Sequence, residues 1–266
     1  VKFLNQYDIV VMPGGLENPG HGDHANSAYI LKNVKSSVEL FGYIAIGYTN
    51  SFSIEEIKKK IDLWKRMRVD GIFLDEAGFD YWDSDAEMRK RQSEAVNHAH
   101  KNGLRVFLNA WNPDDLFVKQ SDNPLKVDKN DYALLESYIF SFAGPLDFRD
   151  YEKKIRGFRH GKDKFGIQLV GLSTTNKSEK YFRQSDFDFM VHTAQVDGLD
   201  GVGWGTANFS ATSSRVVYRK IKREYNRLEM SDVPADYNEE TGIVSKKLKN
   251  GTLYLDYNDF SFEVTP

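Results

Sequence analysis

The stretch Val69-Asp70-Gly71-Ile72-Phe73-Leu74-Asp75-Glu76-Ala77-Gly78 decides the fold. An apolar run ends abruptly in two adjacent carboxylates, after a helix-like segment and before a polar, aromatic loop. Residues 71–74 are too few for a helix and too apolar for a surface loop, so they read as a buried strand. In an alternating strand–helix protein, charges at the carboxyl end of a buried strand sit at the rim where active sites are built. The competing reading makes Asp75 the cap of a following helix and leaves Glu76 solvated. A second acidic strand end, at Glu136, favours the rim.

Outward from this stretch, short apolar runs alternate with amphipathic segments from about residue 7 to residue 227. Strands are predicted at 9–12, 42–46, 71–74, 105–109, 132–136, 165–170 and 201–204. Ser53 and Glu56 have the spacing of a capping box, and Ile54, Ile57, Ile61, Trp64 and Met67 then form one apolar stripe. Ser84 and Glu87 repeat the box, and that helix stops at Asn102-Gly103. Phe148, Tyr151, Ile155 and Phe158 mark another helix; Phe187, Met190 and Ala194 the next; Val216, Val217, Ile221 and Tyr225 the last. Such regular alternation predicts an α/β fold, a parallel (β/α)8 TIM-like barrel. The missing eighth strand is expected before Val1, in the weak run of residues 1–4, or within a loop. No Gly-x-Gly-x-x-Gly turn follows the first strand, which argues against a dinucleotide fold. From about Ser231 the pattern changes. Alternating runs flank Lys249-Asn250-Gly251, a hairpin signal, and Phe260-Ser-Phe-Glu-Val offers a third strand. The expected organisation is a barrel over residues 1–230 and a small β-hairpin appendage, or the start of a further module, over 231–266.

Composition narrows the function. The 266 residues are 40% hydrophobic with a net charge of −3, which argues against nucleic acid as a partner. No run approaches the roughly 20 apolar residues of a membrane span. Cysteine is absent, so disulfides, zinc thiolates and thiol nucleophiles are excluded. The chain opens on Val1 and shows no signal peptide, as expected of a processed or excised piece of a longer chain.

The predicted strand ends are rich in polar and aromatic groups that a core would not require. They carry Asn18, His21, Asp23 and His24; Tyr48-Thr49-Asn50; Asp75-Glu76; Asn109-Ala110-Trp111; Glu136-Ser137-Tyr138; Gln168 and Ser173-Thr174-Thr175; and Trp204-Gly205-Thr206. In a barrel these converge on one mouth and suit a carbohydrate. Carboxylates serve acid/base work, amides and hydroxyls bind sugar hydroxyls, and aromatic faces stack on sugar rings. Glycoside hydrolysis needs two carboxyls flanking the scissile bond, and Asp75 and Glu136 lie two strands apart in order. Glu76 is close enough to Asp75 to raise one partner's pKa by like-charge repulsion. Asn18, His21, Tyr48, Asn109, Trp111, Tyr138, Gln168 and Trp204 are the expected substrate contacts. His21, Asp23 and His24 are donors of the kind metals use, but in a glycine-rich loop they read better as a polar rim; no metal or cofactor is expected. His98 and His100 fall within a long helix and are expected at its surface or between helices.

Asn18-Pro-Gly, Phe41-Gly-Tyr-Ile-Ala-Ile-Gly-Tyr, Val69-Asp-Gly-Ile-Phe-Leu-Asp-Glu, Phe107-Leu-Asn and Glu136 resemble the spherulation-specific family 4 (spherulin-4-like) proteins, most clearly over residues 8 to 140. These are similar to polygalactosaminidase-like barrel glycoside hydrolases. The resemblance implies a TIM-like barrel, acidic site residues at Asp75, Glu76 and Glu136, retaining cleavage of α-1,4-linked N-acetylgalactosamine polymers, and an extracellular or cell-surface location. Two departures flank the expected groove: the histidine-rich loop of residues 18–24, and Ala110-Trp111 where the family has Pro-Gly. The expectation is therefore an endo-acting glycosidase of an amino-sugar-rich extracellular polysaccharide. Asp75 is nucleophile or stabiliser, Glu136 general acid/base and Glu76 an orienting carboxylate able to exchange roles with either. The alternative is a non-catalytic carbohydrate-binding or structural barrel module of a larger surface or phage-tail protein.

Overall fold

The computed structural model describes residues 1–117, 125–207, 217–222, 225 and 228–266. In chain order the first part contains β1 (Ile9–Met12), α1 (His24–Asn33), β2 (Glu39–Ala45), α2 (Ile54–Arg66), β3 (Gly71–Asp75), α3 (Asp85–Lys101), β4 (Arg105–Asn109), α4 (Asp114–Phe117) and β5 (Tyr132–Glu136). There follow a two-residue ribbon of β6 (Phe140–Ser141) and β7 (Gly144–Pro145), then α5 (Phe148–Phe165), β8 (Gln168–Thr174), α6 (Gln184–Asp197) and β9 (Gly201–Gly205). The tail adds β10 (Asp236–Asn238), β11 (Ile243–Leu248), β12 (Gly251–Asp256) and β13 (Ser261–Thr265). The main sheet has the order β1-β2-β3-β4-β5-β8-β9, and its registered pairs are parallel. Strand, helix and adjacent parallel strand in succession is the winding of a TIM-like β/α barrel, with seven such strands among the described residues. The run at residues 1–4 supplies no eighth, because Leu4–Gln6 form a turn of 3-10 helix.

The chain divides into two compact units, Val1–Leu134 with His160–Gln168, and Leu135–Arg159 with Leu169–Pro266. In the first unit the period of two in each strand separates two faces. One face packs Phe41, Phe73, Phe107 and Tyr132 as a ladder of rings, mostly edge to face, with neighbouring centroids 5.1 to 5.7 Å apart. The other receives α2, whose buried stripe is Ile57, Ile61 and Trp64. Gly42 makes that approach possible: a Cβ there would lie 2.2 Å from the Trp64 ring. The α2 capping box is complete, since Ser53 Oγ accepts from the Glu56 amide and Glu56 accepts from the Ser53 amide. At α3 only half of it forms. Ser84 Oγ accepts from the Glu87 amide, but Glu87 turns to accept from Trp82 Nε1 at 3.1 Å. His98 bonds Asp62 of α2, and His100 bonds the buried Asp131 before β5, which raises the imidazole pKa.

The second unit is organised around Asp197, a buried carboxylate at the end of α6. Tyr138, Tyr151 and Tyr237 donate hydroxyls to it, and Arg159 completes the set with an ion pair at 2.9 Å. The tail forms an antiparallel sheet, β10-β11-β12-β13, whose Tyr257 packs on Phe148, Tyr151 and Phe189. The predicted hairpin is present, with Leu248 paired to Gly251 across Lys249-Asn250, and β13 is the predicted third strand. The short β10 had no sequence signal strong enough to predict it.

Two expectations need correction. The sixth strand runs over Gln168–Thr174, not 165–170, because α5 continues to Phe165 and ends at Gly166, whose φ of +73° supplies the left-handed stop. The last expected helix is not there in its described part: residues 217–222 form no helix, and Val217 and Ile221 are exposed. Val216 lies outside the described residues. No helix among the described residues is long and apolar enough to cross a membrane.

Candidate active site at the strand ends

Asp75 is the last residue of β3, and its half-buried carboxylate accepts three hydrogen bonds. Tyr43 Oη donates to Oδ2 at 2.6 Å; Asn109 Nδ2 and the Glu76 amide donate to Oδ1 at 2.8 and 2.9 Å. Register explains the donors. Tyr43 pairs with Phe73 and Phe73 with Phe107, so Tyr43, Asp75 and Asn109 share one face of three adjacent strands. Asn109 was expected to touch sugar directly; it is buried and serves Asp75 instead.

Glu76 adopts a left-handed backbone, φ +56°, and its side chain turns back over the end of β2. There it accepts from the Thr49 amide at 3.0 Å and from Thr49 Oγ1. The space exists only because residue 47 is glycine: a Cβ there would lie 2.6 Å from Glu76 Oε2. The following loop is fixed from below. The Ala77 amide donates to the Asn109 carbonyl at 2.8 Å, Gln92 Nε2 donates to the Ala77 carbonyl, and the buried Asp115 accepts from the Phe79 amide at 2.9 Å.

Around this centre Tyr48 and Trp111 are 45% and 52% exposed, as surface platforms must be. Tyr48 stacks on Trp82 at 5.3 Å and donates to Asp83, a hydrogen bond that pushes its phenol pKa up. The loop of residues 18–24 is tied to itself. Asn18 Oδ1 accepts from the Gly20 amide, His21 Nδ1 from the Asp23 amide, and His24 Nδ1 bonds the Leu16 carbonyl. Asn18 and His21 remain exposed.

In the second unit Glu136 ends β5 and is exposed. Lys154 of α5 donates from Nζ to its carbonyl, and burial pushes the Lys154 ammonium down to about 8 against the attraction of the Glu136 carboxylate. Ser137 repeats the left-handed backbone of Glu76, with φ +51°. Three expected contacts are corrected. Tyr138 is buried and donates to Asp197, so it belongs to the core. Gln168 begins β8 and donates to the Lys129 carbonyl, at the end of the strand away from the rim. Trp204 is 8% exposed, with Nε1 bonded to Thr175 Oγ1 and its ring against Phe140, Phe182 and Phe187.

A profile of spherulation-specific family 4 matches residues 6–195. The chain belongs to that family. Among solved structures, the glycoside hydrolase domain of PelA from Pseudomonas aeruginosa is 12% identical, over 77% of this chain and 89% of that one, with a TM-score of 0.48. A single-residue variant of the same domain is 13% identical over the same shares, with a TM-score of 0.50. Ega3 from Aspergillus fumigatus, in complex with galactosamine, is 13% identical over 63% of this chain and 70% of that one, with a TM-score of 0.41. At these identities the PelA likeness speaks to fold. No match was found among curated protein sequences.

Tyr43, Asp115, Gln92 and Lys154 were not singled out from the sequence, and Thr49 was named only as part of a polar strand end. Only Tyr43 left a usable signal: a phenol in an apolar strand, two residues short of the position paired with Asp75.

The Lys154 ammonium has a testable consequence. Its native value of about 8 lies below the ordinary 10.5, so between these values the unfolded chain binds more protons and stability rises with pH. Lys154→Met removes the burden of the buried charge. It should raise the melting temperature at pH 7, and the gain should shrink towards pH 10. An equal gain at both pH values would mean that the amine is not desolvated.

Proposed function

We propose that the chain is an endo-acting, retaining glycoside hydrolase of an amino-sugar-rich extracellular polysaccharide, such as an α-1,4-linked N-acetylgalactosamine or galactosamine polymer. The observation that carries this reading is the clamp on Asp75. A carboxylate held by three donors at a parallel-strand end is oriented for one task, as a nucleophile or electrostatic stabiliser has to be. Glu136, at the corresponding end of β5, is its general acid/base partner; a retaining pair stands about 5–5.5 Å apart. Glu76 fixes the loop through Thr49 and so aims Asp75 from behind. Tyr48 and Trp111 offer exposed faces for sugar rings, and Asn18 and His21 offer polar edges. We assign the activity to residues 1–230, with 231–266 as an appendage or the start of another module, and place the protein outside the cell or on its surface. Family membership and the fold shared with a glycoside hydrolase domain support the reaction class.

Incubation with a galactosamine-rich polymer should generate new reducing ends, and Glu136→Gln should abolish them. Tyr43→Phe removes a hydrogen bond to a charged group, worth about 1.5–3 kcal/mol, and should lower kcat roughly 10- to 100-fold with KM little changed. Turnover should survive dialysis against EDTA, since carboxylates supply both acid and nucleophile. Saturable polymer binding without reducing ends would make the chain a binding module instead. Loss on chelation with rescue by one ion would point to metal-assisted chemistry, such as deacetylation of the same polymer.

A further inference from the structure

The second unit contains an open cavity of about 420 Å³, beside the carboxyl ends of β8 and β9. Its size falls within the roughly 300–1,000 Å³ of small-molecule sites. The walls are aromatic: Phe140, Tyr181, Trp204 and Phe260 line it, with Tyr181 54% exposed. The polar groups are few and unevenly satisfied. Arg183 and Asp186 neutralise each other through contacts of 2.7 and 3.0 Å. Asn176 Oδ1 is buried and accepts no hydrogen bond among the described residues. Next to it, Lys177 is exposed and forms no ion pair among them. The Lys177 backbone is left-handed, φ +51°, in a turn pinned by its amide to the Phe142 carbonyl. An unpaired cation on a strained non-glycine backbone, at the mouth of an aromatic cavity, marks a candidate site.

We propose that this cavity binds an acidic sugar ring. The exposed Tyr181 ring, with the edges of Phe140, Trp204 and Phe260 behind it, meets its C–H faces, and the Lys177 ammonium takes the negative substituent. Lys177 would repel the ammonium of a galactosamine unit, so the ligand is a different sugar from the one proposed for cleavage, in the same polymer or in a companion one. The site shares no residue with the Asp75 clamp, so binding here and cleavage there stand or fall separately.

The test is calorimetric titration of the full chain with trigalacturonate, a sulfated trisaccharide and trigalactosamine. Saturable binding of an acidic trisaccharide is expected, weakening with added salt; comparison of the two acidic ligands identifies the substituent. Lys177→Asn removes the charge while suiting a left-handed backbone, and should weaken that binding at least tenfold with an unchanged melting temperature. Lys177→Arg should retain it. Absence of acidic-sugar binding, or binding indifferent to Lys177→Asn, would overturn the proposal. A chain that binds acidic trisaccharides but cleaves nothing would uphold it while refuting the hydrolase.

Discussion

The three hydrogen bonds that converge on the Asp75 carboxylate are the constraint around which the candidate site is built. They tie the carboxyl ends of β2, β3 and β4 together through Tyr43, Asp75 and Asn109. Parallel register puts these side chains on one face, and the aromatic ladder beneath them keeps that register. The third donor, the Glu76 amide, comes with the left-handed turn that directs the Glu76 carboxylate to Thr49 rather than towards Asp75. Two adjacent acidic residues are thereby given different tasks: Asp75 is clamped at the strand end, and Glu76 anchors the loop that leaves it. Gly47 is part of the same arrangement, because no other residue would leave room for Glu76.

Strain in the backbone has a pattern that matches this reading. Of the six non-glycine residues with left-handed φ among the described residues, Ser51, Glu76, Ser137 and Lys177 lie in the loops that follow the parallel strands β2, β3, β5 and β8, while Arg68 follows α2 and Phe260 precedes β13. Such conformations persist only where the surroundings over-determine them, and they gather at functional sites. By contrast, the Asp197 cluster is buried, with its four donors drawn from the loop after β5, from α5 and from β10. It holds the tail sheet against the helices of its unit, with the carboxylate itself shut off from solvent.

Much of this was legible in the sequence, and the reasons differ element by element. The strands at 105–109 and 132–136 coincide with the predicted ones because polar residues bound their apolar runs on both sides. The strand after α5 was misplaced because Phe165, the last helical residue, is as apolar as the strand that follows; the stop signal was Gly166. That shift carried Gln168 to the wrong end of its strand. Asp75 and Trp111 could be placed from sequence because strand ends are readable. Tyr138 and Trp204 misled for the same reason: an aromatic side chain just beyond a strand can turn inwards, and only tertiary partners such as Asp197 and Thr175 decide which way it goes. Asp115, Gln92 and Thr49 bond across long sequence separations, which no local pattern encodes.

The central claim is that the clamped carboxylate acts on substrate rather than merely joining three strands. Asp75→Asn separates the two roles, because the amide keeps the shape and can still exchange hydrogen bonds with Tyr43 and Asn109. Release of reducing ends from a galactosamine-rich polymer, measured beside a thermal melt of the same preparation, is the direct test. The account predicts loss of turnover with a melting temperature within about 5 °C of the parent. Full turnover in this variant, or a collapsed melt, would contradict it and leave Asp75 as a structural tie.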